Sequence, residues 1–151
     1  MIKKPSGHEV TTVGLLAFWA DKLLKKYEVQ IGSSRQYDVH MFCEEIAKNK
    51  AYKIMYNPDN IYHWDIHNLL SGVFHEIGHI IYDWDSHVYG EIRHVADEYM
   101  AERYSLDMMK KYYPNSIPFV IKHTKSLFKD LLLEPQYKDH YIAFKQIEEY
   151  Q

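Results

Sequence analysis

An α+β fold is what the order of patterns along this chain predicts: one helix, a group of short alternating segments, then helical periodicity towards the end. Three observations carry that expectation. Val13, Leu16, Ala17, Ala20, Leu23, Leu24 and Tyr27 recur at helical spacing near the N-terminus. Tyr52, Ile54 and Tyr56 alternate with Lys53 and Met55, as a strand with two different faces does. From residue 61 onward the apolar spacing is again that of helices. The 151 residues suit a single domain, 1–151, long enough to bury a core without disulfides.

The first helix is expected to start at a Thr11 or Thr12 cap. Lys3 and Lys4 followed by Thr11 to Ala20 superficially resemble a secretory leader, but Glu9 and Asp21 bracket the apolar stretch and helical spacing continues through the charges. No apolar run approaches the roughly 20 residues that a membrane span needs. Tyr27 to Ile31 reads as a short strand closed by Gly32-Ser33-Ser34. The alternation of Tyr37, Val39 and Met41 favours a second strand over 37–43, although Val39, Phe42 and Ile46 also fit a helix. Ala51 to Tyr56 is the third strand, and Asn57-Pro58-Asp59-Asn60 is a turn. The expected sheet is small, three-stranded and antiparallel, with 51–56 at its edge.

A long amphipathic helix follows over 65–84, with Asp65 or Asn68 as its cap. Ile66, Leu69, Leu70, Val73, Phe74, Ile77, Ile80, Ile81 and Trp84 form its apolar stripe. A loop from 85 to 89 leads to a second helix over about 90–112, which Pro114 ends. Ser116 and Pro118 suit the start of a third, with Phe119, Val120, Leu127, Phe128 and Leu131 inward. Pro135 breaks it, and Tyr137, Tyr141, Phe144 and Ile147 continue a last short helix.

Chemistry enters with His75-Glu76-Ile77-Gly78-His79, which fits H-E-x-x-H. At 3.6 residues per turn, two histidines four apart stand one above the other and can share one metal ion. Glu76 follows the first histidine, where its carboxylate can take a proton from water beside that metal. His75, Glu76 and His79 fall off the apolar stripe, on the side that carries Gly72 and Asp83. Zn²⁺ is the expected ion, with His75 and His79 as ligands and Glu76 as general base.

A catalytic zinc site usually needs a third protein ligand. Asp85 stands six residues after His79, where metzincins place theirs, but Tyr82 occupies the position of their turn glycine. Ala96-Asp97-Glu98-Tyr99-Met100-Ala101, together with the H-E-x-x-H stretch and the strand ending Met55-Tyr56-Asn57-Pro58, resembles the ImmA/IrrE-type zinc metallopeptidases over roughly residues 50–106. The resemblance implies a zincin-like fold and a gluzincin-like pattern, Glu-x-x-Ala-Asp/Asn, whose glutamate binds zinc and whose acid or amide lies one turn later. Asp97 matches the later position, and the ligand position falls on Arg93, which cannot bind zinc. Helix geometry then ranks Asp97 first, at the edge of a face defined by Ile92, Ala96, Tyr99 and Met100, with His94, Glu91 and Glu98 also open. Asp97 as an acceptor from a ligand histidine is the simpler alternative.

The resemblance implies hydrolysis of a peptide bond in a protein substrate, often a regulator such as a DNA-binding repressor. A peptide is expected to pair with the 51–56 edge. The alternative is a non-catalytic module that binds a regulator, which Arg93 favours. A formal net charge of −3 argues against direct nucleic-acid binding. The single cysteine, Cys43, cannot form an internal bridge and reads as a small core residue in a cytoplasmic protein.

Overall fold

The computed structural model describes residues 7–82 and 91–122, with the backbone alone over 91–99. Helix α1 (Gly7–Leu23) comes first, then strands β1 (Glu28–Ser33), β2 (Met41–Ala47) and β3 (Ala51–Tyr56). A single turn, α2 (Pro58–Ile61), precedes the long helices α3 (Ile66–Ile81) and α4 (Glu91–Tyr112). A 3₁₀ turn, Pro114–Ser116, follows, and the backbone is helical again over 117–122. The architecture is α+β, as the patterns predict. At the start of the third helix Val120 is buried as expected, but Phe119 is exposed and stacks on His67 at 4.5 Å instead of facing inward. The expected 85–89 loop, the rest of the third helix and the last helix around 137–147 lie outside the described residues.

Helix α1 starts a turn before the expected cap. Thr11 and Thr12 donate their hydroxyls back to the Gly7 and His8 carbonyls at 3.0 and 2.8 Å, which makes them interior residues rather than caps. Leu16, Trp19 and Ala20 bury the inner face of α1, and Leu24 follows them into the core. Trp19 sets its ring against Phe74 of α3 at 4.8 Å and Tyr112 of α4 at 4.7 Å, joining three helices at one aromatic node.

The sheet is mixed, not antiparallel. Its order is β1-β3-β2, with β1 parallel and β2 antiparallel to β3. The hairpin between β2 and β3 turns on Asn49, whose φ is 59°, and Lys50 N–H closes it on the Ala47 carbonyl at 2.9 Å. The chain from β1 skips one strand position to reach β2, and β3 returns between them, so β3 occupies the middle and not the edge. Burial explains the order: Tyr52, Ile54, Met55 and Tyr56 of β3 are all buried, as the inner strand of a sheet demands. The second strand also begins later than expected. Residues 37–40 bend instead, because Asn57 Nδ2 donates to the Tyr37 carbonyl at 3.0 Å and Asn60 Nδ2 to the Val39 carbonyl at 2.9 Å. The sheet packs on α1 through β1 and on α3 through β2.

Candidate metal centre

Helix α3 has the start that its sequence predicts and most of the predicted face, although Ile66, expected in the apolar stripe, is exposed at its first turn. Asp65 caps it, accepting from the Asn68 N–H and from Asn68 Nδ2, both at 2.9 Å. Leu69, Leu70, Val73, Phe74, Ile77 and Ile80 are almost fully buried. Each such side chain contributes about 1.5–3 kcal/mol by leaving water, which fixes the rotation of the helix about its axis. That rotation leaves His75 and His79 half-buried on the adjacent face, with Glu76 at 7 % exposure between them.

The three side chains converge. His75, Glu76 and His79 each offer a ligand atom within 4.8 Å of the others. The two Nε2 atoms face each other at 3.0 Å, with the rings nearly perpendicular at 81°. Two imidazoles on one tetrahedral ion at about 2.0–2.1 Å per bond would hold their nitrogens about 3.3 Å apart. The residues present therefore fit a divalent cation with an opening of a few tenths of an ångström. Two bare lone pairs cannot face each other at 3.0 Å, so one Nε2 must carry a proton when no cation lies between them.

Glu102 of α4 supplies what sequence reasoning missed. Its Oε1 lies 2.6 Å from His75 Nδ1, and the two side chains are only 23 % and 12 % exposed. The approach does not meet hydrogen-bond geometry, so the pair is a close electrostatic contact. A carboxylate there favours the proton on Nδ1 and leaves Nε2 of His75 bare towards His79 and the centre of the site.

The approach of α4 rests on small residues. A Cβ on Gly78 would stand 3.1 Å from Ala101 Cα and 3.1 Å from Tyr104 Cβ, so only glycine lets the helices come this close. One turn and two turns away, Ser105 Oγ donates to the Ser71 carbonyl at 2.8 Å and lies 3.1 Å from Ser71 Oγ. On the other side of α3, Trp64 fills the space above Gly72, where a Cβ would meet its ring at 2.4 Å. Trp64 stacks on His40 at 4.0 Å with the rings 4° from parallel. Gly72 is one turn before Glu76 on the same helix.

Of the residues singled out from the sequence, the structure brings together His75, Glu76 and His79. The side chains of Asp97, His94, Glu91, Glu98 and Arg93 lie outside the described residues. Of the expected inner face of α4, Ile92, Ala96, Tyr99 and Met100, only Met100 has a described side chain. Ala101 and Ser105 are fully buried and Tyr104 nearly so, whereas Met100 is only half-buried. The pattern Glu-x-x-Ala-acid occurs in this register as Glu98-Tyr99-Met100-Ala101-Glu102, five residues beyond the Arg93-based alignment. Glutamate where the pattern has aspartate or asparagine hid it.

A comparison with known protein families, characterised proteins and solved structures returns no match for this chain.

Proposed function

We propose that this chain is a zinc-dependent metallopeptidase of zincin type acting on a peptide bond in a protein substrate. The observation that carries the reading is the juxtaposition of His75, Glu76 and His79 with Glu102 behind His75. An arrangement with two imidazoles, a buried carboxylate beside them and an acid on the outer nitrogen of one is costly for a surface with no chemistry to perform. His75 and His79 hold the cation through Nε2. Glu98 is the third ligand in this proposal: the backbone of α4 is helical throughout, which places position 98 one turn before Glu102. Asp97, its neighbour, is the ligand under the earlier register.

A bound Zn²⁺ would polarise the scissile carbonyl and acidify water. Glu76 takes the proton from the attacking water and delivers it to the leaving amine. Glu102 orients His75 and supports its basicity. The substrate strand pairs with the outer edge of β2, which no described strand covers and which packs against α3, because β3 is enclosed by β1 and β2. The non-catalytic alternative drew its support from Arg93 at the ligand position, and in the Glu102 register Arg93 no longer falls there.

Zinc content by mass spectrometry and peptidase activity together test the reading. One Zn²⁺ per chain is expected in the wild type and in Glu76→Gln, with hydrolysis lost in that variant, and the His75→Ala/His79→Ala pair should lose the metal. Hydrolysis undiminished in Glu76→Gln would remove Glu76 as the base.

A further inference from the structure

Away from the metal centre, the C-terminal ends of α1 and α4 bring cations together. Lys22 Nζ lies 4.8 Å from the centre of the Tyr112 ring, and Lys111 Nζ lies 5.2 Å from the same ring. Lys22 is also 5.4 Å from the Trp19 ring, and Lys26 is 5.2 Å from that of Tyr27. Lys25 and Lys110 are their neighbours along the chain, and all five lysines are exposed. Among the described residues none of the five has an ion-pair partner.

The helix dipole favours one lysine at each helix end. It does not account for two ammonium groups converging on one ring, which repel each other and are held by the aromatic face instead. Asp21, Glu28 and Asp107 are the exposed acids nearest in sequence, so the surface keeps a positive surplus. Taking the five lysines from the chain's 18 basic residues leaves 13 against 21 acidic ones. The patch is thus a basic island on an acidic molecule. Phe74 stacks on Tyr112 at 6.4 Å, which places the island on the Phe74 side of α3, about 100° round the helix from His75.

We propose that this lysine and aromatic patch docks a short acidic segment of a partner polypeptide. Carboxylates would take the places between Lys22, Lys111 and their neighbours, and apolar or aromatic side chains of the segment would lie on the exposed part of the Tyr112 ring. A long polyanion such as nucleic acid fits less well. It would extend past the island into the field of the acidic remainder, which reaches about 8 Å at physiological salt. The docking does not depend on peptide hydrolysis and is read by binding alone.

The test is fluorescence anisotropy with a short labelled peptide of glutamates and tyrosines, using the intact chain. Saturable binding that weakens steeply with salt is expected, while the same peptide with lysines for glutamates should not bind. Lys22→Glu/Lys111→Glu, which replaces two attractive contacts by two repulsive ones, should weaken binding about tenfold or more. Lys22→Gln/Lys111→Gln, which only neutralises the pair, should weaken it about threefold with the circular dichroism unchanged. Arg35→Gln, an exposed cation paired with Asp59 of α2 and so outside the patch, should stay within about twofold of wild type. Absence of saturable binding, or the same affinity in both double variants, would overturn the proposal. So would tighter binding of a single-stranded oligonucleotide of equal charge.

Discussion

Gly78→Ala probes the packing that brings α4 onto the candidate metal centre. The new methyl would stand 3.1 Å from Ala101 Cα, 3.1 Å from Tyr104 Cβ and 3.2 Å from the Ala101 carbonyl oxygen. Carbon atoms rest at about 3.5–4.0 Å, so the two helices must separate by roughly 0.4–0.9 Å. Overpacking of this kind costs about 1–3 kcal/mol. Alanine in a helix interior returns about 0.8–1.0 kcal/mol relative to glycine. The net expectation is a loss of about 1 kcal/mol, or about 2–4 °C in Tm for a chain of this size. The site should feel more than the fold does. Ala101 and Glu102 are adjacent, so the displacement that relieves Ala101 draws Glu102 away from its 2.6 Å contact with His75. Loss of such an outer contact lowers metal affinity about 10–100-fold. Urea unfolding of the metal-free protein and competitive zinc titration separate the two effects. Combining Gly78→Ala with Glu102→Gln should add little further loss of affinity, because both act through one contact. A Gly78→Ala protein that is more stable by the full helix-propensity gain, with zinc affinity unchanged, would refute the close packing.

Glu102→Gln alone should lower zinc affinity about 10–100-fold while leaving urea stability of the metal-free protein near wild type. Arg93→Glu should leave zinc affinity unaltered, whereas Glu98→Gln should weaken it more than Asp97→Asn does, as read by the same titration. Gly72→Ala should displace Trp64 and lower stability, but in a Trp64→Ala background the same change should become neutral or stabilise by up to about 1 kcal/mol, since the obstructing ring at 2.4 Å is gone. Burial of Tyr104, with Tyr82 and Tyr112 nearby, pushes its hydroxyl up to about 12 from 10.0. The folded state therefore favours the neutral phenol. The stability this contributes is complete below about pH 10 and is lost as pH rises towards 12, so Tyr104→Phe should flatten that alkaline decline in urea unfolding.

The part of the site on one helix is legible in the sequence because a helix has a single period. Once Leu69, Val73, Phe74, Ile77 and Ile80 face the core, the positions of His75, Glu76 and His79 relative to one another follow. The sheet is less legible. Alternation in Ala51–Tyr56 marks a strand, but it says nothing about which neighbour pairs with it, and the parallel β1–β3 pairing depends on a crossover whose path is tertiary. Residues 37–40 mimic a strand because Tyr37 and Val39 alternate, yet Asn57 and Asn60 capture their carbonyls and bend the chain. Glu102 depends on the rotation of α4 against α3. Gly78, Ala101 and Ser105 set that rotation, and their small size carries little weight in an apolar pattern. Thr11 and Thr12 look like caps by composition, while the helix begins earlier and uses their hydroxyls internally.

X-ray absorption at the zinc edge on the purified, zinc-loaded chain tests the central claim most directly. Two imidazole nitrogens near 2.0–2.1 Å and one carboxylate oxygen near 2.0–2.2 Å are expected at about one zinc per chain. The imidazole signal should be lost in the His75→Ala/His79→Ala variant. A spectrum without imidazole scattering in the wild type, or the same spectrum in that variant, would contradict a metal centre at His75 and His79.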